Sequence, residues 1–209
     1  MSVFDRLAIG TANWGQVYGH RGVTCPREEQ EKIVFYLMSA GIDTIHTKEA
    51  YHVDLSWLPT YFDIVYGDQH GFYDPSEVPH VHEPWPYMNV PYSPFDRRWE
   101  TWLAQDGHQC AEQIHVRSVF CQGKVFTGAE PVFVRFRKYA GQLHLCVGTL
   151  CLLFCLLNPH VDKVIIGVDS EQQLRENLRF FHRLEGFGVD DPSVIDPRLW
   201  EKAERGADH

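Results

Sequence analysis

The sequence predicts a parallel α/β fold. Short apolar runs alternate with stretches whose apolar residues recur at helical spacing, and the junctions between them carry helix-capping residues. The clearest run, Val161-Asp-Lys-Val-Ile-Ile-Gly-Val168, is apolar through its centre, as in a strand covered on both faces. At 209 residues and 44% hydrophobic the chain can build one sizeable core, so a single domain is expected.

Leu7 to Thr11 is a short apolar run closed by Gly and Thr, which suits a buried strand. Thr24-Cys-Pro-Arg-Glu28 starts a helix, with Pro26 in the first turn and Glu28 and Glu29 at the positive end of its dipole. Ile33, Val34, Leu37 and Met38 form its apolar stripe, Gly41 ends it, and Ile42 to Thr47 is the next strand. Further strands are read at Tyr61–Tyr66, Tyr87–Ser93, Gln113–Phe120 and Val161–Val168. Helices are read over Asp96–Ala104, over a long region up to Asn158, and from Ser170, where Leu174, Leu178, Phe181 and Leu184 share a face. Between Tyr51 and Tyr87, prolines at 59, 75, 79, 84 and 86 interrupt any regular pattern, apart from a short helix expected from Asp74. The divisions are residues 1–52, an N-terminal strand-helix-strand; 53–86, an atypical segment; 87–186, further strand-helix units; and 187–209, a tail.

A net charge of -9 with scattered Lys and Arg argues against nucleic acid or an anionic membrane as a partner. The N-terminus lacks a basic stretch followed by an apolar run, so a cytoplasmic location is expected. Six cysteines without paired spacing then read as reduced, buried, small hydrophobes. The apolar run Leu143 to Leu157 is shorter than the roughly 20 residues of a membrane span and reads as a buried helix. His46, His52, His70, His80 and His82 with Glu83 raise a metal site, but prolines flank His80-x-His82, and scattered surface histidines are the reading adopted: no metal.

The segment Gly41-Ile-Asp-Thr-Ile-His-Thr-Lys-Glu-Ala-Tyr51 resembles the second strand and catalytic-tyrosine turn of the aldo-keto reductases. Later blocks resemble the bacterial branch of that family found beside polysaccharide and sugar-modification enzymes. They are Val90-Pro-Tyr-Ser-Pro-Phe-Asp-Arg-Arg98, Ile114-His-Val-Arg-Ser-Val-Phe-Cys-Gln-Gly123, and Asn158 through Leu178. Leu7 to Trp14 and Tyr73 to Val78 match more briefly, and Asp196-Pro-Arg-Leu-Trp200 is similar to a tail motif of the branch, with Leu199 and Trp200 as packing anchors. The resemblance implies a TIM (β/α)8-barrel ancestry. Two strand-helix units are missing between Tyr51 and Tyr66, since each βαβ step takes roughly 30 residues and a full barrel about 250. About six units remain.

The resemblance also implies NADPH-dependent reduction of a small-molecule carbonyl substrate, an aldehyde or ketone of sugar origin. Tyr51 would be the proton donor to the developing alkoxide. Tyr92 would stack on the nicotinamide, and Ser118, Gly167, Ser170, Glu176 and Asn177 would line the dinucleotide. The rest of the tetrad has no match: His46 stands where the family has Asp, and the Lys and His fall in the missing units. A phenol without a cationic neighbour stays near a pKa of about 10. Lys48 is a candidate replacement, against the ordinary reading of a solvated loop lysine. Ser170 with Gln173 equally makes a capping box, and Phe95 to Arg98 reads as a turn with surface ion pairs. Three readings stay open: a reductase; an inactive relative that binds a partner or ligand, its sheet edge covered in a homodimer; and a non-functional deletion product.

Overall fold

Among the described residues six parallel strands form, one at each expected place: β1 (Leu7–Gly10), β2 (Thr44–Thr47), β3 (Asp63–Tyr66), β4 (Met88–Pro91), β5 (Ile114–Arg117) and β6 (Lys163–Ile166). The computed structural model describes residues 2–179 and 181. The expected contacts of Leu184, Leu199 and Trp200 therefore lie outside the described residues. The strands make one sheet in the order β3-β2-β1-β6-β5-β4. This is a partial TIM barrel, six strands curled where a full barrel has eight.

Register fixes which side chains face in. Ala8 pairs with Thr44 and Ile165, His46 with Val65, and Asn89 with His115, so these share the concave face. Leu7, Ile9, Ile45, Val90, Val116, Val164 and Ile166 lie on the convex face, buried in the core beneath the helices. His46 of β2 meets His115 of β5 at 5.9 Å between ring centroids, although β1 and β6 separate those strands in the sheet. Only curling brings them together.

The two edges, β3 and β4, do not pair as strands. Residues 67–72 stand between them: the Asn89 N–H donates to His70 O (2.9 Å), the Phe72 N–H donates to Asn89 O (3.1 Å), and Gly71 bridges Asn89 in parallel. Tyr87 Oη donates to Tyr66 O at 2.6 Å and Asn89 Nδ2 to Gly67 O at 2.9 Å. Gly67 is required here, because a Cβ would lie 2.3 Å from His46 Cε1. A loop thus does the work of the missing units on the strand edges. Among the described residues no α-helix lies between β2 and β4, only the 3-10 turns Glu49–Tyr51 and Pro75–Glu77. The second carries a complete Asp74–Glu77 capping box.

The helix Arg27–Ala40 ends at Gly41 in the left-handed conformation (φ 75°), as its sequence predicts, but Met38 is exposed rather than part of the buried stripe. Asp96 to Ala104 is not one helix. Ser93 and Asp96 first close a turn through reciprocal backbone bonds, helix begins at Glu100, and a π-turn follows over Leu103–Gly107. The long helical region is three helices, Lys124–Thr127, Pro131–Gln142 and Val147–Leu156, divided at Gly128 and at His144, whose φ is 56°. The last is buried from Gly148 through Leu156, as the apolar run predicts. Among the described residues no single helix is long and apolar enough to cross a membrane. All six cysteines are free thiols. Only Cys25, Cys151 and Cys155 are buried; Cys110 and Cys121 are partly exposed, and Cys146 is exposed at a helix start, with its sulfur capping Thr149 N.

Candidate functional site

The C-terminal ends of the strands surround a cavity of about 410 Å³. Its floor comes from the concave face: Gly10, His46, Asn89, Arg117 and Ile165. The loops after β2, β5 and β6 add Lys48 and Tyr51, Ser118 to Phe120, and Gly167 with Asp169. Tyr18 to Arg21 close one side. The Tyr18–Val23 bridge makes that segment a hairpin, and it is fastened by the His20 N–H to Gln122 O (2.6 Å) and by Arg21 to Asp169 (3.4 Å).

Tyr51 sits half-buried in the 3-10 turn after β2. Burial pushes its phenol up to about 12, with Tyr18 adding to the rise and the Arg117 guanidinium pulling against it. The cation acting on the phenol is therefore Arg117, and burial outweighs it. Lys48 lines the same cavity but pairs with Asp68 at 3.7 Å.

Arg117 is held by neutral partners. Its Nε donates to Asn89 Oδ1 (3.0 Å), its Nη2 to Phe72 O (3.1 Å), and its guanidinium lies 4.2 Å over the Tyr73 ring. His46 is 5% exposed, and its imidazole makes no hydrogen bond among the described residues. Burial, with His115 next in weight, holds its pKa down at about 3; burial holds His115 at about 4. Both rings are neutral near pH 7.

No protein-family model and no curated protein matches the sequence. Solved structures do match. A glycerol dehydrogenase from Gluconobacter oxydans is similar with a TM-score of 0.58 at 13% identity, over 92% of this chain and 94% of that one. A putative aldo-keto reductase from Pseudomonas aeruginosa is similar at 0.50 and 12% identity, over 85% of this chain and 90% of that one. The fold is that of the aldo-keto reductases.

Of the positions where the aldo-keto reductase pattern puts cofactor contacts, Ser118, Gly167, Glu176 and Asn177 line the cavity together with Tyr51. Ser118 is held at φ 61°, and a side chain at Gly167 would meet open space. Two positions lie elsewhere. Tyr92 is 2% exposed, its ring 5.2 Å from that of Phe154 and its hydroxyl 3.3 Å from Glu100, on the helix-facing side of the sheet. Ser170 caps Gln173 N at 3.3 Å. The reciprocal arm of that capping box is displaced, since Gln173 Oε1 accepts from Asp169 N (3.0 Å) instead of from the N-cap residue.

The start of the helix Glu171–Leu178, where the fold family places a cofactor phosphate, does not fit one. Its Glu171 N–H is given to the Glu29 carboxylate (3.1 Å), its Gln173 N–H to Ser170, and the Asp169 carboxylate stands in front. Sequence reasoning missed Arg117 and Tyr73. The signal for Arg117 was available: it lies two residues beyond His115, on the same face of β5. His80 and His82 stand edge to face, 5.0 Å between centroids. Among the described residues no group of three or more His, Cys, Asp or Glu side chains is placed to hold a metal.

Proposed function

We propose that this chain is a ligand-binding relative of the aldo-keto reductases that does not carry out their reductase reaction. The observation that carries this reading is the state of Tyr51. A proton donor to an alkoxide works best with a pKa near the operating pH, and this phenol is driven to about 12 while Lys48 is held by Asp68. What remains is a cavity of ligand size with a polar floor.

The test is a carbonyl-reduction assay with NADPH and a panel of small aldehydes and ketones, glyceraldehyde and dihydroxyacetone among them because one protein of this fold is a glycerol dehydrogenase. The expected result is no carbonyl-dependent loss of NADPH absorbance. Turnover that Tyr51→Phe abolishes would overturn the reading.

One observation favours the reductase alternative: Ser118, Gly167, Glu176 and Asn177, which the resemblance implies would line the dinucleotide, share the cavity with Tyr51. Quenching of tryptophan fluorescence by NADPH supports that alternative. No quenching at millimolar NADPH removes it.

A further inference from the structure

The cavity has two electrically distinct ends. Asp169 and Glu176 line the end nearest the helix Glu171–Leu178, and Arg117 and Lys48 line the end nearest β2 and β5. Asp169 has Arg21 beside it and Lys48 has Asp68, while the Glu176 carboxylate accepts from the Gln172 amide. Arg117 has no opposite charge beside it. Among the described residues no carboxylate lies within 4.0 Å of it, and its Nη1 makes no hydrogen bond. A guanidinium aligned by two neutral acceptors and an aromatic face, with one nitrogen left over and no counter-charge, is prepared for an anion from outside the chain. In a chain of net charge -9 such a spot is not explained by surface charge in general.

A second observation comes from a different strand. His46 lies on the same cavity floor, buried and neutral, with Nε2 completely enclosed and no hydrogen bond from either ring nitrogen among the described residues. Buried polar groups in folded proteins are nearly always paired, and an unpaired one on a cavity floor marks where a ligand or water completes it. Tyr51, a protonated phenol on the same cavity, adds a hydroxyl donor.

We infer that the cavity takes a small ligand bearing an oxyanion, carboxylate or phosphate, which Arg117 binds, together with a neighbouring hydroxyl or carbonyl that hydrogen-bonds to the His46 side of the floor. This rests on the cavity being a binding site. It adds the ligand's charge and places the anion at Arg117, away from Asp169 and Glu176.

Calorimetric and thermal-shift titrations of the full chain with lactate, propionate, inorganic phosphate and uncharged glycerol test it. Lactate or phosphate is expected to bind and raise the melting temperature, with glycerol at equal concentration inert; which of the two anions binds more tightly identifies the source of the oxyanion. Arg117→Gln is expected to weaken anion binding about tenfold or more, as loss of a charge-assisted hydrogen bond does, and Arg117→Lys to retain part of it. Arg117 also ties β5 to Phe72, so Arg117→Gln could fail to fold; wild-type chain then supplies the readout through competition by chloride and through preference for lactate over propionate, which His46→Leu is expected to erase. Absence of anion binding by wild type, or equal affinity in folded Arg117→Gln, overturns the inference. Glycerol binding without anion binding sinks the inference and leaves the ligand-binding reading standing, whereas Tyr51-dependent NADPH turnover sinks that reading and leaves the anion site to its own titration.

Discussion

The two faces of the sheet differ in what they do. The convex face is apolar: Leu7, Ile9, Ile45, Val90, Val116, Val164 and Ile166 are buried in the core with the helices. The concave face carries His46, Asn89, His115 and Arg117 beside Ala8, Val65 and Ile165, where barrels of this class usually hold layers of branched aliphatics alone. Hydrophobic stabilisation therefore comes chiefly from outside the curl, and the inside is held by hydrogen bonds and ring contacts. A barrel so built can vary on its inner face, because its outer layer supplies the core.

The largest expected effect tests the outer layer. Ile9 is fully buried between the sheet and its helices, and Ile9→Ala removes three buried carbons and leaves a void. Loss of about 2–5 kcal/mol of unfolding free energy is expected from denaturant titration. A loss below about 1 kcal/mol would show that this layer is not what holds the fold, and the comparison of the two faces would break.

That same difference explains what the sequence showed. Runs covered on both faces, such as Val164-Ile165-Ile166, announce themselves by composition, and all six strands were legible within a few residues of their ends. Alternation along a strand says more, and resemblance alone hides it. Met88, Val90 and Tyr92 fall on one face, the apolar one, so the pleat itself turns Tyr92 towards Phe154 and away from the cavity. The closure by residues 67–72 was not legible. It depends on one asparagine side chain, one glycine clearance and bonds spanning about twenty residues, none of which has a periodic signature. The charge environment of Tyr51 was equally hidden, since Arg117 reaches it from a strand more than sixty residues away.

The second prediction concerns the inner face and pH. His46 and His115 have folded pKa values of about 3 and about 4, below the ordinary 6.5 that applies when the chain is unfolded. Between pH 6.5 and about 4 the unfolded chain therefore binds protons that the folded chain refuses. Stability is fully present above pH 6.5 and is lost as pH falls through that window, by on the order of 2 kcal/mol per histidine at pH 4.5. Urea midpoints at pH 7.5 and 4.5 read the effect, and the drop should be smaller in a His46→Asn, His115→Gln double variant. An equal drop in both proteins would assign the acid sensitivity to other groups and return the inner face to a passive role.

The smallest expected effect isolates the loop closure. Asn89 is fully buried and its side chain works in two directions, donating to Gly67 O and accepting from Arg117 Nε. Asn89→Ala leaves a buried carbonyl and one nitrogen of a guanidinium without those partners, at a cost of about 1–3 kcal/mol. The backbone bonds from Asn89 to His70 and Phe72 do not depend on the side chain, so the strand edges stay joined. Hydrogen exchange then separates local from global loosening: the Phe72 and Asn89 amides should lose protection, while amides of β1 and β6, under the apolar outer layer, should change only by the global stability difference. Unchanged protection at Phe72 would mean that the closure stands on its backbone alone and that the polar inner face serves the ligand cavity only.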